Sequence, residues 1–95
     1  MGRSRRMEVS PATKKQVLDR LGRAVGHLEA VRRMVEDDRD CGEVLTQIAA
    51  VRTAVNNAGR ILLLDHIEAC TRQAAETGDM AALEELETLV TRFMK

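Results

Sequence analysis

An all-α fold is what this chain predicts, and three observations carry the prediction. Apolar residues recur at alternating spacings of four and three along two long stretches. Leu, Ala, Val, Glu and Arg dominate, a helix-favouring mixture. One Phe, no Trp and no Tyr leave little from which to build an aromatic-rich sheet or an aromatic RNA-binding surface. At 95 residues, 44% hydrophobic and 32% charged, the chain makes one small domain, neither disordered nor membrane-embedded. The longest apolar run, residues 61–64, falls far short of the roughly 18 residues of a membrane span. The N-terminus has no apolar segment of the secretory kind, so a cytoplasmic protein is expected.

Residues 1–9 are polar, basic and without period, and read as a flexible arm before a single domain over residues 10–95. Ser10-Pro11 is a helix start, with Ser as N-cap and Pro at the first helical position. Val17, Leu21, Ala24, Leu28, Val31 and Val35 then form a coiled-coil-like seam, and the first helix should run to about Asp37. Gly22 and Gly26 lie inside it, where close approach of another helix is their expected use. Asp40 can cap a second helix, with Glu43 completing a box-like pair. Val44, Ile48, Val51, Val55, Ala58 and Leu62 repeat the same spacing. No Pro interrupts this helix before Gly78, so it should end near Thr77 after about 37 residues, or roughly 55 Å. A short third helix starts at Asp79 or Met80 and carries Leu83, Leu86, Val90 and Phe93. Met34, Met80 and Met94 fall near the apolar positions and read as core fillers, and Glu84, Glu85 and Glu87 as a solvated acidic face.

The second helix is longer than the other two can cover. It should pair antiparallel with its copy in another subunit, giving a dimer with a four-helix core.

Net charge is zero, but it is unevenly spread. Residues 1–23 carry seven basic against two acidic side chains (+5), residues 24–64 five against six (−1), and residues 65–95 three against seven (−4). The basic N-terminal third suits a polyanion.

Three soft or borderline metal ligands lie on the second helix: Cys41, His66 and Cys70. His66 and Cys70 are one turn apart on one face. Cys41 is 25 residues earlier, about 37 Å along a continuous helix, too far to share a site within one chain. In an antiparallel pair, Cys41 of one subunit meets His66 and Cys70 of the other, giving two sites per dimer. Two thiolates and an imidazole suit Cu(I) in a three-coordinate site, or Zn(II) with a fourth ligand. A helix N-terminus also favours the Cys41 thiolate. Against this, a buried Cys is commonly a small hydrophobe and a lone His is more often structural. His27, with no Cys or second His within a turn, reads as a surface or seam residue.

Residues 20–41 (RLGRAVGHLEAVRRMVEDDRDC), followed by VLTQIAAVRTAV and DHIEAC, resemble the CsoR/RcnR family of metal-responsive repressors over roughly residues 13–72. The resemblance implies an all-helical dimer of dimers that binds operator DNA without a helix-turn-helix. The metal-free tetramer would repress transcription, and inducer at the subunit interface would release it from DNA. Cys41, His66 and Cys70 match the ligand positions of the copper-sensing branch. The nickel and cobalt sensors carry His at the last position and an additional N-terminal His, near Val9 here. Copper sensors often have Tyr where this chain has Asp40, and they carry an acidic residue on the third helix, where this chain offers Glu84, Glu85 and Glu87. Arg20 and Arg52 match basic positions of the family pattern. Lys14, Lys15, Arg23 and the arm residues Arg3, Arg5 and Arg6 add phosphate-neutralising charge.

The expected function is therefore a repressor, not an enzyme, that leaves operator DNA on binding Cu(I). Ni(II), Zn(II) or a thiol-reactive inducer are the alternatives. A thiol-based redox enzyme, with Cys41 as nucleophile and a partner's His66 as base, would need a substrate cleft that nothing in the sequence suggests. A purely structural adaptor fits neither the basic N-terminal third nor the three-ligand set.

Overall fold

The computed structural model describes residues 9–94. Each helix boundary follows from local chemistry. Helix α1 spans Pro11–Glu36. The Ser10 side chain accepts the Thr13 N–H at 3.1 Å, and Pro11 fills a position whose N–H would have no helical partner. The chain leaves α1 through Asp38, whose φ of 54° puts it in the left-handed region that Asp tolerates better than most residues.

Helix α2 spans Cys41–Thr77. The Asp40 carboxylate accepts the Glu43 N–H at 3.1 Å. The reciprocal half of the expected box is not made. Glu43 instead accepts from Arg39 at 2.9 Å, because the guanidinium at i−4 reaches the same carboxylate. Gly78 ends α2 with φ 72° and donates its N–H to the Ala74 carbonyl at 2.8 Å. Helix α3 spans Met80–Phe93, with Asp79 accepting from the Ala81 N–H.

Helix α2 is the spine, and its 37 residues set the 56 Å long dimension of the molecule. Contacts of α1 run backward along it: His27 meets Gln47, and Ser10 meets Asp65. Contacts of α3 do the same from the other end, with Gln73 bonding Asp79 and Phe93 lying over Gly59. The two short helices do not pack on each other. No described helix is long and apolar enough to cross a membrane.

The seams divide in a way the spacing alone did not foretell. Val17, Ala24 and Val31 of α1 are buried, as are Val44, Val51 and Ala58 of α2. Their intervening partners Leu21, Leu28, Val35, Ile48 and Val55 are exposed. A seam read at spacing 4,3 is wide enough for two neighbours, and one chain supplies only one. Val31, Val44 and Val51, with Met34 against them, make a hydrophobic cluster toward the α1–α2 turn, a small core for so long a molecule.

Two further expectations are corrected. Gly22 and Gly26 have nothing within 4 Å of where a Cβ would stand, so they serve no close approach within the chain. The close approach is at Gly59, where a Cβ would lie 2.6 Å from Phe93 Cε1. Of the three methionines, Met34 packs against the core. Met80 and Met94 stand at the two ends of α3, past the surface that α2 covers, and are 64% and 71% exposed. Glu84, Glu85 and Glu87 lie exposed on α3 as expected.

Candidate metal centre and basic groove

His66 and Cys70 are brought together by the helix itself. Residues four apart on an α-helix stand over one another, and His66 Nε2 lies 3.5 Å from Cys70 Sγ. Two donors at typical bond lengths of about 2.0 Å (N) and 2.3 Å (S) on one tetrahedral or trigonal ion stand about 3.5–3.7 Å apart. The pair therefore has the spacing a shared soft or borderline metal requires. Cys70 is buried and His66 half-buried, so the donors sit at the edge of the apolar interior, where water competes weakly.

Cys41 is elsewhere. It is the first residue of α2, exposed and with a free thiol, at the opposite end of the helix from the pair. Among the described residues, no group of three His, Cys, Asp or Glu side chains within one chain could hold a metal ion. Yet Cys41 is not placed at random around the helix. Stepping from it by four and three gives Leu45, Ile48, Arg52, Val55, Gly59, Leu62 and His66, with Cys70 one turn further. The three candidate ligands thus share a stripe with Leu45, Ile48 and Val55, which are 60%, 45% and 48% exposed in the single chain.

The basic residues divide between two sides of the α1–α2 pair. Arg20 and Arg23 line an open groove of about 480 Å³ with His27, Thr53 and Asn57. The Arg20 Nε is buried without a hydrogen-bond partner, so any contact of this side chain with an incoming oxyanion would come from its terminal guanidinium nitrogens. His27 bonds Gln47 across the helices, Nε2 to Oε1 at 2.6 Å, which makes it a seam residue remote from Cys70. Lys14 and Lys15 are exposed, and Lys15 pairs with Asp19 at 3.0 Å. Arg52 is exposed on the ligand stripe and takes no part in the groove. Arg3, Arg5 and Arg6 lie outside the described residues.

Sequence reasoning missed two features here. One is the groove, whose neutral members Thr53 and Asn57 have no motif. The other is a bond from the Ser10 N–H to Asp65 Oδ2 at 2.9 Å, across 55 residues of chain. Its only sequence trace is an Asp immediately before His66.

Known proteins share this fold. The model of the metal-sensitive transcriptional repressor family matches residues 13–92. The copper-sensing transcriptional repressor CsoR of Bacillus subtilis is 38% identical over 87 residues, covering 90% of this chain and 86% of that protein. In three dimensions, CsoR with Cu(I) from Geobacillus thermodenitrificans aligns with a TM-score of 0.83 and 31% identity, over 95% of each chain. The nickel-responsive regulator InrS aligns with a TM-score of 0.79 and 37% identity, over 96% of this chain and 99% of its own. A match over most of the chain, in sequence and in fold, makes this protein a member of the metal-sensitive transcriptional repressor family.

Proposed function

We propose that the chain is a Cu(I)-responsive repressor whose metal site is shared between subunits: Cys41 from one, His66 and Cys70 from the other. The observation that carries this reading is the common stripe. Two copies of α2 packed antiparallel about a two-fold axis beside Val55 would set Val55 against Val55 and Ile48 against Leu62. The same register brings Cys41 against Cys70 and His66. The pairing covers the exposed half of the α2 seam and completes two identical sites at once. Leu21, Leu28 and Val35, exposed on α1, would be covered in the same four-helix core. Two such dimers form the tetramer.

Cu(I) is favoured by the donor set, since thiolates select soft ions and one imidazole completes a three-coordinate site. Binding would release the thiol protons of Cys41 and Cys70. The metal-free protein holds operator DNA in the cytoplasm through phosphate contacts from Arg20, Arg23, Lys14 and Lys15, and from Arg52 by the reach of its long side chain past the edge of the subunit contact. Occupancy of the intersubunit site favours a state with weaker DNA affinity, which derepresses metal-efflux genes. A second reading, Ni(II) or Zn(II) as inducer, has the likeness to InrS in its favour.

The test is subunit complementation. A Cys41→Ala chain is mixed with a His66→Ala/Cys70→Ala chain, and anaerobic Cu(I) binding is measured against a high-affinity competitor. Each variant alone has only broken sites. A mixed dimer holds one intact site, so tight binding should reappear at about one ion per mixed dimer, half the wild-type value. No recovery after demonstrated subunit exchange would reject the shared site. Parallel titrations with Ni(II) and Zn(II), with operator affinity as the readout, identify the inducer.

A further inference from the structure

The Ser10–Asp65 bond joins two parts of the molecule that the repressor reading treats separately. Ser10 is the N-cap of α1, and the chain immediately before it holds Arg3, Arg5 and Arg6. Asp65 is the residue before His66 on α2. The bond is to a charged acceptor, so it is stronger than an amide–amide bond of the same length. It holds Ser10, and with it the half-buried Val9, against the helical turn that carries the His66–Cys70 pair.

We propose that Asp65 is a positioning residue: it ties the root of the basic N-terminal segment to the turn bearing His66, so that this segment's contribution to DNA binding and the state of the metal pair are coupled. The proposal rests on the repressor reading. Three features support it. The acceptor is one residue from a candidate ligand, so any rotation of that turn moves the carboxylate. The donor is a backbone N–H at a helix N-terminus, so its position fixes where the preceding chain leaves the body. The bond lies at the open end of the α1–α2 pair, where α1 begins, whereas His27–Gln47 lies nearer the turn at Asp38. With the bond made, the basic segment starts from a fixed point. With it broken, the start of α1 is free to shift, and fixing that point again when DNA binds costs entropy.

Asp65→Ala removes the acceptor, while Asp65→Asn keeps an oxygen in the same place. Residue-resolved amide exchange on the metal-free protein should show Ser10 exchanging roughly five- to tenfold faster in Asp65→Ala, with most of its protection kept in Asp65→Asn. Metal-free operator affinity should fall about threefold in Asp65→Ala. It should fall no further when Asp65→Ala is added to an Arg3→Ala/Arg5→Ala/Arg6→Ala chain. The factor by which Cu(I) weakens operator binding should also shrink in Asp65→Ala. Unchanged Ser10 exchange in Asp65→Ala, or an equal loss of operator affinity with and without the three arginines, overturns the proposal. If Cu(I) fails to weaken operator binding by the wild-type chain, the repressor reading fails instead, and the exchange measurement still decides the positioning role.

Discussion

Gly59→Ala should destabilise the protein, although Ala is the better helix former. Gly59 lies in the interior of α2, where replacing Gly with Ala ordinarily stabilises by up to about 1 kcal/mol. Here the new Cβ would stand 2.6 Å from Phe93 Cε1 and 2.8 Å from Cζ, against an ordinary carbon–carbon contact of about 3.5–4.0 Å. The ring must retreat by about 1 Å, and because its far edge makes the contact, it can do so by swinging out. The cost is then close to what the ring's own packing is worth, because swinging out gives that packing up. Phe93 is half-buried, so that is about 1–1.5 kcal/mol, roughly half the value for a fully buried aromatic side chain. The net effect of Gly59→Ala is a loss of up to about 0.5 kcal/mol. In a Phe93→Ala chain the obstruction is gone, and the same substitution should stabilise by up to about 1 kcal/mol. The predicted result is a change of sign, with a coupling of about 1–1.5 kcal/mol between positions 59 and 93. Urea unfolding followed by helical circular dichroism measures it, with all four chains at one protein concentration because association contributes to stability. The same sign in both backgrounds would refute the reasoning, and with it the placement of the end of α3 on the middle of α2.

Three other outcomes follow from the stripe and the groove. Val55→Glu places two like charges at the proposed two-fold axis, so it should shift sedimentation from oligomer toward monomer and abolish tight Cu(I) binding with Cys41, His66 and Cys70 all intact; a dimer that still binds copper would remove Val55 from the axis. Arg20→Ala should weaken operator binding, lower the salt slope by about one and leave metal affinity unchanged; Arg52→Ala should do the same, and a change in sedimentation alone would assign Arg52 to the subunit contact rather than to DNA.

What was legible in the sequence is what local chemistry decides. Ser10-Pro11, Asp40, Gly78 and Asp79 act within a turn of themselves, and the helices start and stop where those residues require. The His66–Cys70 pair is equally local, since a spacing of four fixes a shared face. The seams were legible as seams but not as to which half is buried. That depends on where α1 lies against α2, and Leu21 and Ala24 are both apolar positions of one repeat. The glycines failed for the same reason. Gly26 and Gly59 look alike in sequence, and only the return path of α3 sets Phe93 over one of them. Ser10 and Asp65 are 55 positions apart, and neither residue type announces a partner at that distance.

The length of α2 has a consequence for the chain at low abundance. On the proposed shared site, its two ends would carry complementary halves of a chelate, and a rigid rod some 37 Å long between them would prevent any single molecule from closing on itself. A solitary, newly made chain would then offer the ion an incomplete set, with a two-donor clip at one end and a lone thiol at the other. Full sensitivity would arrive only when chains meet, so the threshold at which the cell perceives metal would be set by protein abundance together with chemical affinity. A paralogue with the same stripe and a different residue at either end would produce hybrid sites on mixing, one at each end of the pair and unequal in their choice of ion.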